Sequence, residues 1–422
     1  MIVESYNAVG VSKKENSLNK NNLTAKKGIH FYLSCLLIAY PVFYPANDIF
    51  GHFGQYGLFV IWLLVSLVDK PSFLVHIIKN SYIYIAFLLI IIIRVADVLS
   101  DVPFGFFSPH RLISQFSLLL IYYTFGLWHT LYSNDVTKSN LIKVFLNSFL
   151  ISAIVSLYYL MQNEYAIRQS YNNSYFALGD FNLVYTGVLI VALIWLLTIN
   201  KIYNFRVTIL FLVSILLVVK ASYMTAIVSI FILALLSTLI KFRKRYFAVF
   251  LTTLIFLLLV FSMDSIAKII FDLANSGLIN SALQVRLLDI SNVLYGNSVA
   301  NSGTLLDRFE LSSVSWATFL DNPFFGVYYG DYGLHTIGGH TQWVDNLARF
   351  GVVGIMLLFL QMIIWFVKIY LKTKSKLEKN SLIISWLFFL FLGIINNNML
   401  GGLFICMFFI SSNINTVFKP KK

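Results

Sequence analysis

The residues of this 422-residue chain best suited to chemistry gather around His340. The stretch GGHTQWVDNLARFGVVG, residues 338 to 354, joins His340, Asp345 and Arg349 to several glycines just where an apolar run begins. Trp343, Val344, Leu347 and Gly351 follow the histidine at offsets of 3, 4, 7 and 11, so one helical face carries the imidazole at its outer end. Asp345 and Arg349 stand four apart with the acid first, the better order for an ion pair on a helix. An imidazole with a reference pKa of about 6.5 can take a proton from a hydroxyl. It can equally be a helix cap or an interfacial residue. Upstream, DRFELSSVSWATFLDNPFFGVYYG contains Arg308, with Leu305, Phe309, Trp316, Phe319 and Leu320 at roughly helical spacing. This predicts a helix that ends before Asn322-Pro323, with Gly326 and Gly330 suited to turns. An amphipathic helix lying along a membrane surface fits the pattern, and a lid packed on a helical bundle fits equally well.

Elements able to position these residues must lie in lipid. Hydrophobic residues make up 59% of the chain and charged residues only 12%, where a soluble domain carries about 25% charged. Mean hydropathy is +0.79. A helical span needs roughly 20 apolar residues. About twelve such runs occur, near 29 to 46, 55 to 69, 81 to 99, 111 to 132, 141 to 162, 181 to 199, 205 to 219, 221 to 240, 246 to 264, 347 to 371, 381 to 396 and 399 to 416. Stretches such as IAFLLIIII at 85 to 93 do not alternate, which excludes barrel strands. The expected fold is all-α and polytopic, with one large external loop.

Positive charge is retained on the cytoplasmic side of a membrane. With the N-terminus inside, the inside segments hold 23 Lys and Arg and the outside segments 7, with Arg94 inside a span. The organisation read from this is a cytoplasmic tail (1 to 28), nine spans (29 to 263), a large external loop with short helices (264 to 346), three spans (347 to 416) and a short cytoplasmic tail (417 to 422). The net charge of +13 is then mostly a cytoplasmic rim facing anionic headgroups, and no nucleic-acid partner is needed. The first apolar run follows too long a polar segment for a signal peptide and reads as a retained anchor. Cys35 and Cys406 fall in the first and last runs and read as packing residues. No internal repeat, Walker motif, G-x-G-x-x-G or H-E-x-x-H occurs, which argues against an energised pump.

Arg308, Asn322-Pro323 with Gly326, His340, and Gly351 with Gly354 together resemble the conserved region of the O-antigen ligase and Wzy-type polymerase superfamily. The likeness is close over about 60 residues and loose over the many-span layout. It implies a membrane glycosyltransferase of GT-C type in the bacterial plasma (inner) membrane. The implied substrates are oligosaccharides on undecaprenyl pyrophosphate, and the implied partners are membrane lipid and a chain-length regulator and flippase of the same pathway. No cofactor is implied. The resemblance also gives residues their roles: His340 as base, Arg308 and Arg168 as guanidiniums on the departing pyrophosphate, and Arg286, Arg349 and Lys220 as weaker substrate contacts. Arg168 lies in RQSYNNSYFALGDFN, where the family also tends to carry an arginine. Many relatives have Ser-Arg where this chain has Lys220-Ala221-Ser222-Tyr223, so Lys220 supplies a point charge without a planar fork. No D-x-D occurs, so a metal-independent transfer is expected, with no metal site.

The form GGHTQWVDNLARFGVVG is more similar to polymerases that join repeat units into O-antigen or capsular polysaccharide than to ligases that pass the polymer to lipid A-core. A flippase for lipid-linked oligosaccharide is the rival from another class, but a translocation path predicts charges in several spans. A non-catalytic regulator of chain length would show a sustained heptad, and there is none. Arg94, in IIIIRVADVL, is expensive in lipid and has Asp97 as a local partner or a lipid phosphate as an alternative. Asn396, Asn397 and Asn398 form the turn between the last two runs, where glycan contact is conceivable and a polar turn suffices.

Overall fold

The computed structural model describes residues 28–99, 109–167, 176–202, 204–241, 263–277, 279, 281–294, 305–328 and 336–418. Among these, every regular element is a helix. Five are long and apolar enough to cross a membrane, or six if a bent pair counts as one span. The chain is an all-α protein with the helices of a membrane protein.

The bent pair is the first element. Helix α1 (Gly28–Val42) meets the first part of α2 (Tyr44–Asp69) at 94°, so the run expected as one span over 29 to 46 is broken. Pro41 sits at the start of the 3-10 turn Tyr40–Val42 that ends α1 and Pro45 in the first turn of α2; each lacks an amide proton, which permits the break. A second break follows at Gly51 (φ 60°, ψ −171°), leaving Phe53–Asp69 as a short apolar helix. Then come α3 (Phe73–Leu99), α4 (Pro109–Tyr132), α5 (Asp135–Gln162), α6 (Phe181–Ile199), α7 (Phe205–Ala221) and α8 (Met224–Lys241). Asn134, Asp180 and Asn204 cap α5, α6 and α7 by accepting from the backbone amides of Thr137, Asn182 and Val207. Ser222 takes a left-handed conformation (φ 55°) between α7 and α8. Most of the run expected at 246 to 264 lies outside the described residues.

The polar stretch that follows contains α9 (Met263–Ala274), α10 (Ser281–Leu294) and α11 (Leu305–Asp321). Helices α9 and α10 pack as a hairpin, tied by the Ser291 hydroxyl to the Ala267 carbonyl at 2.9 Å. Three elements complete the bundle: α12 (Gln342–Lys372), α13 (Lys376–Ile395) and α14 (Gly401–Asn413), the last containing a π-helical turn at Cys406–Ile410. A short turn, α15 (Asn415–Phe418), ends the described chain.

Helix α6 is apolar on all sides and buried along most of its length, as expected of a central helix. Helices α7, α8, α13 and α14 pack around it. Helix α12 is anchored on α3 through Asn80, whose carbonyl accepts from Gln361 Nε2 (2.8 Å) and Trp365 Nε1 (3.0 Å) while its side-chain oxygen accepts from Lys368 (2.7 Å). Trp365 stacks on Tyr123 of α4 with ring centroids 4.2 Å apart. Gly126 lets α4 close on the π turn, since a Cβ there would stand 2.5 Å from the Phe408 carbonyl oxygen. On its other side α12 presents Val352, Val353, Met356, Leu360, Ile363, Val367 and Leu371 outward, the stripe a lipid-facing helix shows. Cys35 is half-buried and Cys406 buried, both unpaired.

Candidate functional site

The residues around His340 are held by a break in α12. Gly351 sits inside that helix at φ 60°, ψ −171°, a region essentially open to glycine alone. The break frees two helical bonds, those from the amides of Val352 and Val353 to the carbonyls of Ala348 and Arg349. The segment from Pro323 to Tyr328 takes up all four groups. Val352 and Val353 donate to the Pro323 and Phe324 carbonyls (2.8 and 3.1 Å), and Val327 and Tyr328 donate to the Ala348 and Arg349 carbonyls (3.0 and 2.6 Å). The Asn-Pro-x-x-Gly segment is therefore an insert in the backbone ladder of α12, and every polar group freed by the kink is satisfied.

This insertion accounts for the glycines. A Cβ on Gly326 (φ 66°) would lie 2.3 Å from the Arg349 carbonyl carbon and oxygen, and a Cβ on Gly351 would lie 2.4 Å from those of Phe324. All of these neighbours are backbone, so nothing can swing aside. Gly354 has another use: it lies over Phe350 and Phe87, whose rings meet edge to face at 5.1 Å between α12 and α3.

The segment bearing the histidine is clamped from the other side. Gly338 lies on the backbone of α11, where a Cβ would be 2.0 Å from the Leu311 carbonyl oxygen. The Gly338 amide donates to Ser315 Oγ (2.8 Å), and Ser315 donates in turn to Asp345 Oδ1 (2.6 Å). The same carboxylate oxygen accepts from the Gly339 amide (3.2 Å), one residue before His340. Thr318 donates to the Thr336 carbonyl (2.6 Å), and Thr341 and Ser312 hydroxyls stand 3.5 Å apart. Residues 336 to 341 thus run antiparallel to α11. Asp345 is only 4% exposed and Arg349 5%, while the His340 side chain is exposed. Arg349 and His340 both lie within electrostatic reach of Asp345. The result is an exposed imidazole on a backbone fixed by a buried carboxylate.

Arg308 lies in the first turn of α11, four positions before Ser312, and its side chain is outside the described residues. Arg168 also lies outside them. Arg286 does not join the histidine segment through any described bond; it pairs with Asp289 one turn on, at 3.8 Å. Lys220 closes α7 and, with residues 160 to 165, lines an open cavity of about 410 Å³. Glu164 in that lining accepts from Ser281, the first residue of α10, whose hydroxyl also lies 3.3 Å from the Tyr165 hydroxyl. Lys220 and the α9–α10 hairpin therefore share a second polar locality.

Arg94 is exposed near the end of α3, and its guanidinium lies over the Tyr328 ring at 5.4 Å. This is its described partner; the Asp97 side chain lies outside the described residues. Burial raises the Tyr328 phenol above its ordinary range and the Arg94 guanidinium opposes the rise. The three asparagines stitch the turn between α13 and α14: Asn396 donates to Tyr185 (3.3 Å), Asn398 to the Phe389 carbonyl (2.7 Å), and Asn397 accepts from the Met399 amide (2.9 Å).

Sequence reasoning passed over Ser315, Gly338 and Tyr328, and took Asp345 only as half of an ion pair. A signal for Ser315 was present: Ser312, Ser315 and Thr318 recur every three residues along one side of α11, centred about a third of a turn from Trp316 and Leu320. No family model matches the chain, and no curated protein matches it.

Proposed function

We propose that the chain is a Wzy-type polymerase, a metal-independent membrane glycosyltransferase of GT-C type with about twelve spans and both termini in the cytoplasm. In this reading it joins undecaprenyl-pyrophosphate-linked oligosaccharides into O-antigen or capsular polysaccharide at the outer face of the bacterial inner membrane. One observation carries the reading. The residues of the family resemblance, spread from 308 to 354, are bound into a single clamp by the bonds between Pro323–Tyr328 and the break at Gly351, and between residues 336–341 and α11.

The chemistry needs few parts. A hydroxyl of the acceptor's sugar attacks the anomeric carbon of the donor chain, and the bond from that carbon to the pyrophosphate oxygen breaks. The hydroxyl proton passes to His340, and the pyrophosphate leaves on its lipid with the bonding electrons. Arg308 and Arg168 neutralise the charge gathering on it, with Lys220, Arg286 and Arg349 as further contacts. Asp345 fixes the histidine backbone and does not touch substrate.

The test is a gel of surface glycan from a host lacking the gene, beside the complemented strain. Collapse of the ladder to core plus one repeat unit, or loss of capsule of high mass, is the expected result. Polymer that accumulates on carrier lipid while lipid A-core stays bare would make the chain a ligase. Unpolymerised units trapped on the inner leaflet would make it a flippase, and an unchanged ladder would overturn the reading.

A further inference from the structure

One side of α11 is apolar and exposed. Trp316 is 48% exposed, Leu320 59% and Phe324 69%, large apolar groups at steps of four that continue from the helix into the inserted segment, where Phe325 beside them is 57% exposed. The described polar bonds of α11 to the bundle run through Ser312, Ser315 and Thr318, whose mean direction lies about a third of a turn around the helix from that of Trp316 and Leu320. Exposed Glu310 and Asp321 share one edge about three turns apart, roughly a third of a turn around the helix from Trp316 and Leu320. Helix α11 thus has a bundle side, an apolar side and an acidic edge.

The apolar side is continuous with the lipid-facing stripe of α12. Phe324 is bonded through its carbonyl to Val353, and Pro323 to Val352; both valines are exposed, and Met356, Leu360 and Ile363 carry the same outward face down the span. Arg94 fixes the depth: its exposed guanidinium lies over Tyr328 in the same inserted segment, and an arginine at the end of an apolar helix belongs at the headgroup layer. We infer that Trp316, Leu320, Phe324 and Phe325 are seated in the bilayer at the boundary between headgroups and acyl chains, so that α11 is an interfacial helix with its acidic edge toward water. The occupant of this face is lipid, since a protein partner would have to stop at Phe324 where the bilayer surface of α12 begins. The seat does not depend on which reaction the His340 site performs.

The experiment places single cysteines at Leu320, Phe324, Glu310 and Met356 in full-length protein with Cys35→Ala and Cys406→Ala. Each is labelled with bimane and reconstituted in phosphatidylcholine vesicles containing lipids spin-labelled at carbon 5 or carbon 12. Expected are strong quenching of positions 320 and 324 by the carbon-5 label, deeper quenching at 356, and quenching by aqueous iodide at 310 alone. Iodide quenching at 320 and 324 equal to that at 310 would overturn the proposal, as would resistance of both positions to either quencher, which would mean a protein covers the face. Loss of a lipid-quenchable tryptophan component in Trp316→Phe reads the same depth with both native cysteines in place; no such loss counts against it.

Discussion

Replacing Gly351 by alanine tests whether the insertion of Pro323–Tyr328 into α12 holds the site. With the present geometry the new Cβ would stand 2.4 Å from the Phe324 carbonyl group and 2.5 Å from the Phe325 amide nitrogen, at a backbone conformation that costs a non-glycine residue about 1–3 kcal/mol before any overlap. A second route is open to the variant. Alanine favours the helix, so α12 can straighten and return the Val352 and Val353 amides to the Ala348 and Arg349 carbonyls. Four insert bonds are exchanged for two helical ones, a net loss of about 1–3 kcal/mol at roughly 0.5–1.5 each. That avoids the overlap altogether. Gly351→Ala should therefore remain inserted and folded while the segment 323 to 328 comes away. Hydrogen exchange in detergent reads this directly: the Val327 and Tyr328 amides should exchange about 5- to 150-fold faster, the factors for about 1–3 kcal/mol, while Val352 and Val353 stay protected. Glycan transfer should fall with them. Native protection at Val327 together with a wild-type ladder would refute the reasoning, since the alanine would then have been accommodated without releasing the insert.

Three further outcomes follow from the same bonds. Asp345→Ala leaves the buried Ser315 hydroxyl and Gly339 amide without their acceptor and should lower stability by about 1–3 kcal/mol, whereas Asp345→Asn keeps an oxygen there and should unfold near the wild-type temperature; equal melting of the two variants would argue against the clamp. His340→Ala, at an exposed position, should remain inserted yet lose glycan transfer in a complementation assay, and retained transfer would sink its assignment as base. Arg286→Gln removes a guanidinium already engaged by Asp289, so any loss of transfer should be smaller than for Lys220→Gln in the cavity, as compared by ladder length in complemented strains.

Helical class and the positions of most apolar elements were legible in the sequence because they rest on composition and run length. The bend at Phe43 was not. Hydropathy continues smoothly through LIAYPVFYPAND, and Pro41 and Pro45 permit a 94° turn without demanding one. The helix over 305 to 320 was legible from apolar spacing, and Asn322-Pro323 marks its end at Asp321. Its polar face was not read, because serine and threonine carry little weight in a periodicity argument until a partner is known. Arg286 was a weaker substrate candidate, and α10 places Asp289 one turn on, 3.8 Å from its guanidinium.

The motif itself divides once the bonds are traced. Gly326 and Gly351 touch no group that could react; each exists so that two backbones can meet closer than a Cβ allows. Asn322-Pro323 stops α11 and turns the chain into the gap. These residues form a lock between α11 and α12, while His340 stands at its edge on a backbone held by Ser315 and Asp345. A lock built from backbone is indifferent to which sugar or acceptor comes to the histidine. Under the proposed function, the choice between polymerase and ligase would then come from the surfaces around the lock, among them the Lys220 cavity and the apolar side of α11.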